Sequence, residues 1–140
     1  MSEEQPRDSN QPGPPPRVLV VLAEQWPRAL LRAALREAGY DAVGARTLAE
    51  ALRYPARVPG RGAVGAIVVD QHALGDEASL RTLRERYANP LVVLLAHATL
   101  ARPERGWDQV LVRPFAIADV VSTMQRMLPL PAGALPLDAV

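Results

Sequence analysis

The sequence predicts an α/β domain in which five parallel strands form one sheet with helices on both faces. Short apolar runs recur along the chain, and amphipathic helical patterns separate each run from the next. The length of 140 residues leaves room for one domain with its own core. We expect that domain to span residues 17–128, between a Pro-rich disordered leader (1–16) and a Pro-rich tail (129–140).

The first two strands each precede a helical pattern. Residues 18–22 form a continuous apolar run, which is typical of a strand that is buried on both faces. The following helix has Pro27 in its first turn and ends at Gly39. Its predicted inward stripe consists of Leu30, Leu31, Ala34, Leu35 and Ala38. Residues 40–45 predict a weaker strand, and Thr47 and Glu50 have capping-box spacing at the start of a short helix through Arg53.

Three further strands are predicted after a Pro- and Gly-rich loop at residues 54–65. Residues 64–69 form the third strand, which ends at Asp70, and residues 91–95 and 110–112 form the fourth and fifth. A helix over residues 77–87 is predicted to bury Ala78, Leu80, Leu83 and Tyr87. The last helix, over residues 117–128, turns Val120, Val121, Met124 and Met127 or Leu128 inward. Pro103 and Gly106 interrupt residues 96–109, so the helix expected there is reduced.

Composition and motifs exclude several functional classes. The chain has no Cys and no Lys, so it lacks thiolate and lysine chemistry. No Gly-rich phosphate loop follows the first strand, and there is no HExxH or GxSxG motif. The net charge of +1 gives no sign of a nucleic-acid surface, and no apolar run approaches the ~20 residues that span a bilayer. We therefore expect a cytoplasmic protein that has neither nucleic acid nor membrane as a partner.

The ordered set of motifs resembles the response-regulator receiver family. Asp70 follows the third strand where that family has its phosphoacceptor, and Arg113-Pro114-Phe115 follows the fifth strand where the family has Lys-Pro-Phe. The helix that ends at Gly39-Tyr40 also has the family's length. The resemblance covers residues 17–128 and implies a flavodoxin-like (CheY-like) fold with strand order 2-1-3-4-5.

The remaining pocket positions depart from the family pattern. Leu22 and Ala23 stand at the acidic pair, Leu95 at the hydroxyl position and Arg113 at the lysine position. The resemblance implies a family pocket with a formal charge of −2, whereas Asp70 and Arg113 together give 0. Each missing carboxylate removes on the order of 4 kcal/mol of attraction for a cation at 4 Å, at an effective dielectric of ~20. We expect Mg²⁺ binding to be lost or weak, with no other metal or cofactor.

Specific side chains near this pocket carry separate predictions. Arg113 is predicted to pair directly with Asp70, and the Arg113-Pro114 bond is expected to be cis, as the resemblance implies. Glu24 is either a substitute ligand or a solvated carboxylate in the first turn. Trp26 is predicted to form a lid over the pocket. His72 and His97 lie on predicted loops without partners at metal spacing, and are interpreted as surface histidines rather than metal ligands. Asp70 is either a phosphoryl acceptor or only a structural residue that caps a turn or pairs with Arg113.

Three functions remain open on the sequence. The first is a receiver-like module without enzyme activity that binds a protein partner, or a second copy, independently of phosphorylation. Its predicted contact face consists of Trp107, Val110, Val112 and Phe115, although Trp107 is equally well read as a core residue. The second is a single-domain response regulator that is phosphorylated on Asp70. The third is a ligand-binding protein or small enzyme on the same fold.

Overall fold

The computed structural model describes residues 13–75, 77–97 and 106–130, without the side chain of Glu77. These residues contain five strands and four α-helices; a helix follows each strand except the fourth. The strands are β1 (Arg17–Val21), β2 (Asp41–Ala45), β3 (Val64–Asp70), β4 (Leu91–Ala96) and β5 (Gln109–Val112). The helices are α1 (Gln25–Glu37), α2 (Leu48–Ala51), α3 (Glu77–Arg86) and α4 (Ile117–Met127), with a 3₁₀ turn at Gln71–Ala73. The predicted element order is confirmed.

All five strands are parallel, in the order β2-β1-β3-β4-β5. The order reverses between β1 and β3, so the residues that follow these two strands lie at the switch point of the sheet. The register places Asp70 beside Leu95 on the neighbouring strand. The flavodoxin-like topology that the sequence predicts is therefore confirmed.

The side chains of the strands alternate between two hydrophobic cores, one on each face of the sheet. Leu19 and Val21 join the first core cluster, which α2 and α3 cover, while Val18 and Val20 join the second, which α1 and α4 cover. The central strands are buried on both faces, and this explains their continuous apolar runs. The burial of β1 on both faces, which its apolar run predicts, is confirmed.

Two helical predictions need correction. Leu30 is 53% exposed although it belongs to the predicted inward stripe of α1, whose buried members are Leu31 and Leu35. Ala78 is exposed, whereas Leu80, Leu83 and Tyr87 are buried as predicted. The Thr47 cap is confirmed because its hydroxyl accepts a hydrogen bond from the Glu50 amide at 3.1 Å, although α2 ends at Ala51.

The amino end of the sheet brings together the residues that precede β1 and those that follow α4. Gly65 lies beneath both segments: a Cβ atom there would be 2.9 Å from Leu128 Cδ2 and 3.4 Å from Pro16 Cβ. The buried Tyr40 hydroxyl donates a hydrogen bond of 2.7 Å to the Leu128 carbonyl, and burial raises the pKa of this phenol. Leu130 packs against the second core cluster.

Several predictions lie outside the described residues. The reduced helix between β4 and β5 falls mainly on residues 98–105, the leader on residues 1–12 and most of the tail on residues 131–140. Residues 13–16 are described, and they form neither helix nor strand.

Candidate functional site

A cleft of about 350 Å³ opens at the carboxyl ends of the central strands. Its walls come from the segments that follow β1, β3, β4 and β5, which the parallel topology brings to one edge. The residues that line the cleft are Leu22, Ala23, Glu24, Pro27, Asp70, His72, His97 and Arg113.

Asp70 lies at the bottom of the cleft, and both of its carboxylate oxygens are engaged. Arg113 donates from Nη2 to Oδ1 at 2.8 Å, and the backbone amide of His72 donates to Oδ2 at 3.0 Å. The Asp70 side chain is only 9% exposed, whereas that of Arg113 is 42% exposed. The predicted ion pair is confirmed, and Asp70 also caps the 3₁₀ turn that follows β3.

His97 lies in the cleft and is largely buried, which corrects its interpretation as a surface histidine. Its Nε2 is 3.4 Å from Asp70 Oδ1, and its side chain is 22% exposed. This buried nitrogen makes no hydrogen bond within the described part of the chain. Its backbone amide donates to the Gln71 side-chain oxygen at 3.0 Å, which ties the segment after β4 to that after β3. The exposed His72 ring contacts the His97 ring edge-on, with centroids 4.1 Å apart.

The positions to which the sequence resemblance assigns cation and phosphoryl binding, besides Asp70 and Arg113, carry apolar side chains. Leu22 and Leu95 are buried in the second core cluster, and Ala23 is exposed at the rim of the cleft. Glu24 is exposed at the cap position of α1 and makes no capping hydrogen bond with its side chain. The cleft therefore holds two carboxylates, Asp70 and Glu24, and the oxygens of Asp70 already have partners.

This donor set does not fit Mg²⁺, which requires near-octahedral oxygen ligation. A cation at Asp70 would have to displace the Arg113 guanidinium from Oδ1. Among the described residues, no group of three His, Asp or Glu side chains is placed to hold a metal ion.

The segment after β5 aims Arg113 into the cleft. The Arg113 amide donates to the Ala96 carbonyl at 3.0 Å, and the Arg113-Pro114 peptide is cis, as predicted. The guanidinium carbon also lies 5.1 Å from the centroid of the Phe115 ring, close enough for a cation–π contact. Phe115 is half-buried against the second core cluster, so the Arg113 guanidinium rests on a ring that is itself packed against the core.

The predicted tryptophan lid over the cleft is wrong. Trp26 is 75% exposed and does not line the cleft, whose walls from this segment are Glu24 and Pro27. The side chain projects from the first turn of α1 into solvent.

The four residues of the predicted contact face have different surroundings. Trp107 and Val110 are half-buried against the first core cluster, and Phe115 packs on the second. Trp107 is anchored by its neighbour Asp108, which exchanges hydrogen bonds with the Val92 backbone at 2.7 and 2.8 Å. Only Val112, at 40%, is well exposed. Ile117, at the start of α4, is 36% exposed and was missed on the sequence.

Comparisons with known proteins agree with this architecture. The non-phosphorylated HemR receiver domain from Leptospira biflexa is similar, with a TM-score of 0.65 and 19% identity over 83% of this chain and 96% of that one. The response regulator TrrA from Thermotoga maritima, in complex with Mg²⁺ and BeF, gives a TM-score of 0.63 and 23% identity over 81% and 99%. A structure named adenylate cyclase from Rhodopirellula baltica gives 0.63 and 18% over 80% and 86%.

Scans of protein-family models and of curated protein sequences found no match. No helix in the described residues is long and apolar enough to cross a membrane. The strand order, the cleft at the switch point and the similar solved structures agree, and the chain has the fold of response-regulator receiver domains.

Proposed function

We propose that this protein is an atypical receiver-like signalling module that binds a protein partner without phosphorylation of Asp70. The observation that carries the proposal is the hydrogen bond of 2.8 Å between Arg113 and Asp70. It places a guanidinium against the oxygen to which a phosphoryl group or a metal ion would bind. The module has no enzyme activity of its own in this proposal.

The surroundings of the pair support the same conclusion. The Leu22 and Leu95 side chains supply neither oxygen ligands for a cation nor a hydroxyl for phosphoryl oxygens. A buried carboxylate without a partner is costly, and Arg113 supplies Asp70 with the positive partner that a metal ion would otherwise provide. In this proposal the charge-assisted pair of Arg113 and Asp70 occupies the pocket in place of a metal ion or a phosphoryl group.

The contact surface in this proposal lies along β5 and the start of α4. Strand β5 is an edge strand, and Val112 and Ile117 expose apolar side chains there, beside the half-buried Trp107, Val110 and Phe115. Edge strands and exposed apolar side chains are common features of protein-binding surfaces. Partner binding at this face would leave the Asp70 cleft without a direct role.

A titration with Mg²⁺ and beryllofluoride, followed by amide chemical shifts, tests the proposal. We expect the amide chemical shifts around Asp70, His72 and Arg113 to remain unchanged at millimolar concentrations of Mg²⁺ and beryllofluoride. Saturable shifts centred on Asp70 would contradict the proposal and support a response regulator that is phosphorylated on this residue.

A rebuilt pocket provides the matched control. The variant Leu22→Asp/Ala23→Asp/Leu95→Thr restores two carboxylates and a hydroxyl at the positions where the receiver pattern has them. We expect this variant to give saturable Mg²⁺ shifts around Asp70 in the same titration. That response would establish that the assay detects a competent pocket on this scaffold.

A further inference from the structure

Another depression lies at the amino end of the sheet, remote from Asp70. It has a volume of about 330 Å³ and opens between the end of α3 and the segments that lead into β4 and β5. We call it the amino-end groove, and its walls include Arg84, Asn89, Pro90, Leu91, Trp107 and Asp108. Trp107 is half-buried against the first core cluster and Leu91 against the second. The groove therefore presents apolar side chains that the core holds in place.

Arg84 lines this groove with a guanidinium that has no acceptor in the part of the chain that the structure describes. Its side chain is half-buried, and a Cβ atom at Gly106 would lie 3.8 Å from Nη2. Asp108 does not neutralise it, because its carboxylate accepts a hydrogen bond from the Val92 amide at 2.7 Å. The other described arginines that are not exposed donate to backbone carbonyls: Arg17, Arg28 and Arg32. Unused guanidinium donors beside apolar walls favour a ligand that carries a carboxylate.

We propose that the chain's own C-terminal tail, residues 131–140, docks in the amino-end groove. Residues 135–137 (Leu-Pro-Leu) cover the apolar wall beside Trp107. Asp138, the one charged side chain of the tail, pairs with Arg84. Pro-rich segments commonly bind in grooves lined by aromatic side chains, because an extended Pro-rich chain loses little entropy on binding. The tail thus matches the groove in both apolar character and charge.

The tail begins close enough to reach the groove. Leu130, immediately before it, packs on the second core cluster, as does Leu91 in the groove wall. Leu128 lies over Gly65 at the amino end of β3, and β5 is two strand positions away, about 10 Å. The eight residues from Leu130 to Asp138 can span up to about 26 Å. A tether of this length holds the tail at an effective concentration on the order of millimolar.

The leader, residues 1–12, fits the groove less well. It has no Leu, Val, Ile or aromatic side chain to cover the apolar wall, and Arg7 offsets part of its acidic charge. It also joins the body of the domain elsewhere: a Cβ atom at Gly62 would lie 2.2 Å from the Pro15 carbonyl oxygen, beside β1 and three strand positions from β5. Docking of the tail concerns the amino end alone and does not depend on the state of Asp70 or on a partner at β5.

Paramagnetic relaxation enhancement tests the docking in the full chain. The chain has no Cys, so a nitroxide on an Ala139→Cys variant labels only the tail. We expect strong broadening of the amide resonances of Asn89 and Trp107. The amide of Trp26, which lies at the carboxyl end of the sheet, should keep its line width. Broadening at Trp107 no greater than at Trp26 would overturn the proposal.

Charge variants of the spin-labelled chain test the pairing. Arg84→Gln should lower the ratio of docked to undocked tail about threefold, the effect of a partly exposed ion pair. Arg84→Glu should weaken docking further, and Arg84→Glu/Asp138→Arg should restore it. Arg81→Gln is the matched control, since Arg81 is exposed on the same helix and does not line the groove. Equal losses for Arg81→Gln and Arg84→Gln would refute the pairing with Asp138.

A mixed sample identifies the chain that supplies the tail. Isotope-labelled protein without a nitroxide is combined with an equal amount of unlabelled protein that carries the nitroxide on its tail. Because each tail docks on its own domain, we expect the Trp107 amide of the isotope-labelled protein to keep its line width. Broadening there would mean that the tail of a second copy enters the groove, and docking within one chain would be wrong.

Discussion

Arg17 and Asp70 are the buried charged residues of the described chain, and they lie at opposite ends of the sheet. Arg17 opens β1 and is 1% exposed; its guanidinium donates to the carbonyls of Gly62, Pro55 and Ala56 at 2.7, 2.9 and 2.8 Å. Asp70 closes β3, and Oδ1 depends on the Arg113 side chain, which is 42% exposed.

The two buried charges differ in the kind of partner that holds them: backbone carbonyls for Arg17 and a partly exposed side chain for Asp70. The partners of Arg17 are backbone oxygens of the 54–63 loop, which cannot leave without unfolding that loop. Burial, and secondarily the nearby Arg61 charge, lowers the pKa of Arg17, although it stays protonated at neutral pH. By contrast, Arg113 can rotate into solvent without moving the backbone. The charge at the amino end is therefore held by the backbone, whereas the charge at the carboxyl end is held by a partly exposed side chain.

The largest expected loss of stability comes from replacing Arg17 at the amino end of the sheet. Arg17→Met removes three charge-assisted hydrogen bonds and leaves the Gly62 carbonyl, whose hydrogen bond is buried, without this donor, which should cost about 3 kcal/mol of unfolding free energy. Urea denaturation followed by circular dichroism measures this loss.

The matched control is Arg61→Met. Arg61 donates twice to Asp41 at 2.7 Å, and the hydrogen bond to Asp41 raises the pKa of this arginine. Since both side chains are partly exposed, the pair should contribute at most about 1 kcal/mol. Equal losses for Arg17→Met and Arg61→Met would refute the structural role of Arg17.

A smaller effect is expected at the carboxyl end. A double-mutant cycle of Asp70→Asn and Arg113→Gln should give a coupling energy of about 1 kcal/mol, because the exposed guanidinium is partly screened by water. Denaturation of the two single variants and the double variant measures it. A coupling energy indistinguishable from zero would mean that the ion pair does not form in solution, and the occupied-pocket proposal would lose its basis.

The fold was predictable because a buried parallel strand leaves a continuous apolar run, and five such runs alternate with helical patterns. The burial of individual helical residues was less predictable. Leu30 lies at the edge of the α1 stripe, and periodicity does not indicate how wide a face the sheet covers. Leu30 was therefore predicted to be buried and Trp26 to cover the cleft, whereas both side chains are exposed on α1.

The pairing of Asp70 with Arg113 followed from the lack of other charged partners, but His97 was missed. The signal was present: Asp70 pairs with Leu95, so His72 and His97 each lie two residues beyond a matched pair on neighbouring strands. Register of this kind brings equivalent loop positions together. Arg17 was missed because its partners are backbone carbonyls, which leave no mark in a sequence.

The packing of Pro16 and Leu128 against Gly65 affects how the protein can be tethered. Both segments leave the body of the domain at the amino end of β3, whereas Asp70 lies five residues further along that strand, about 16 Å away. A fluorophore, an affinity tag or a solid support attached beyond either segment would start from the end remote from the cleft. Immobilisation for binding measurements should therefore leave the cleft open to solution.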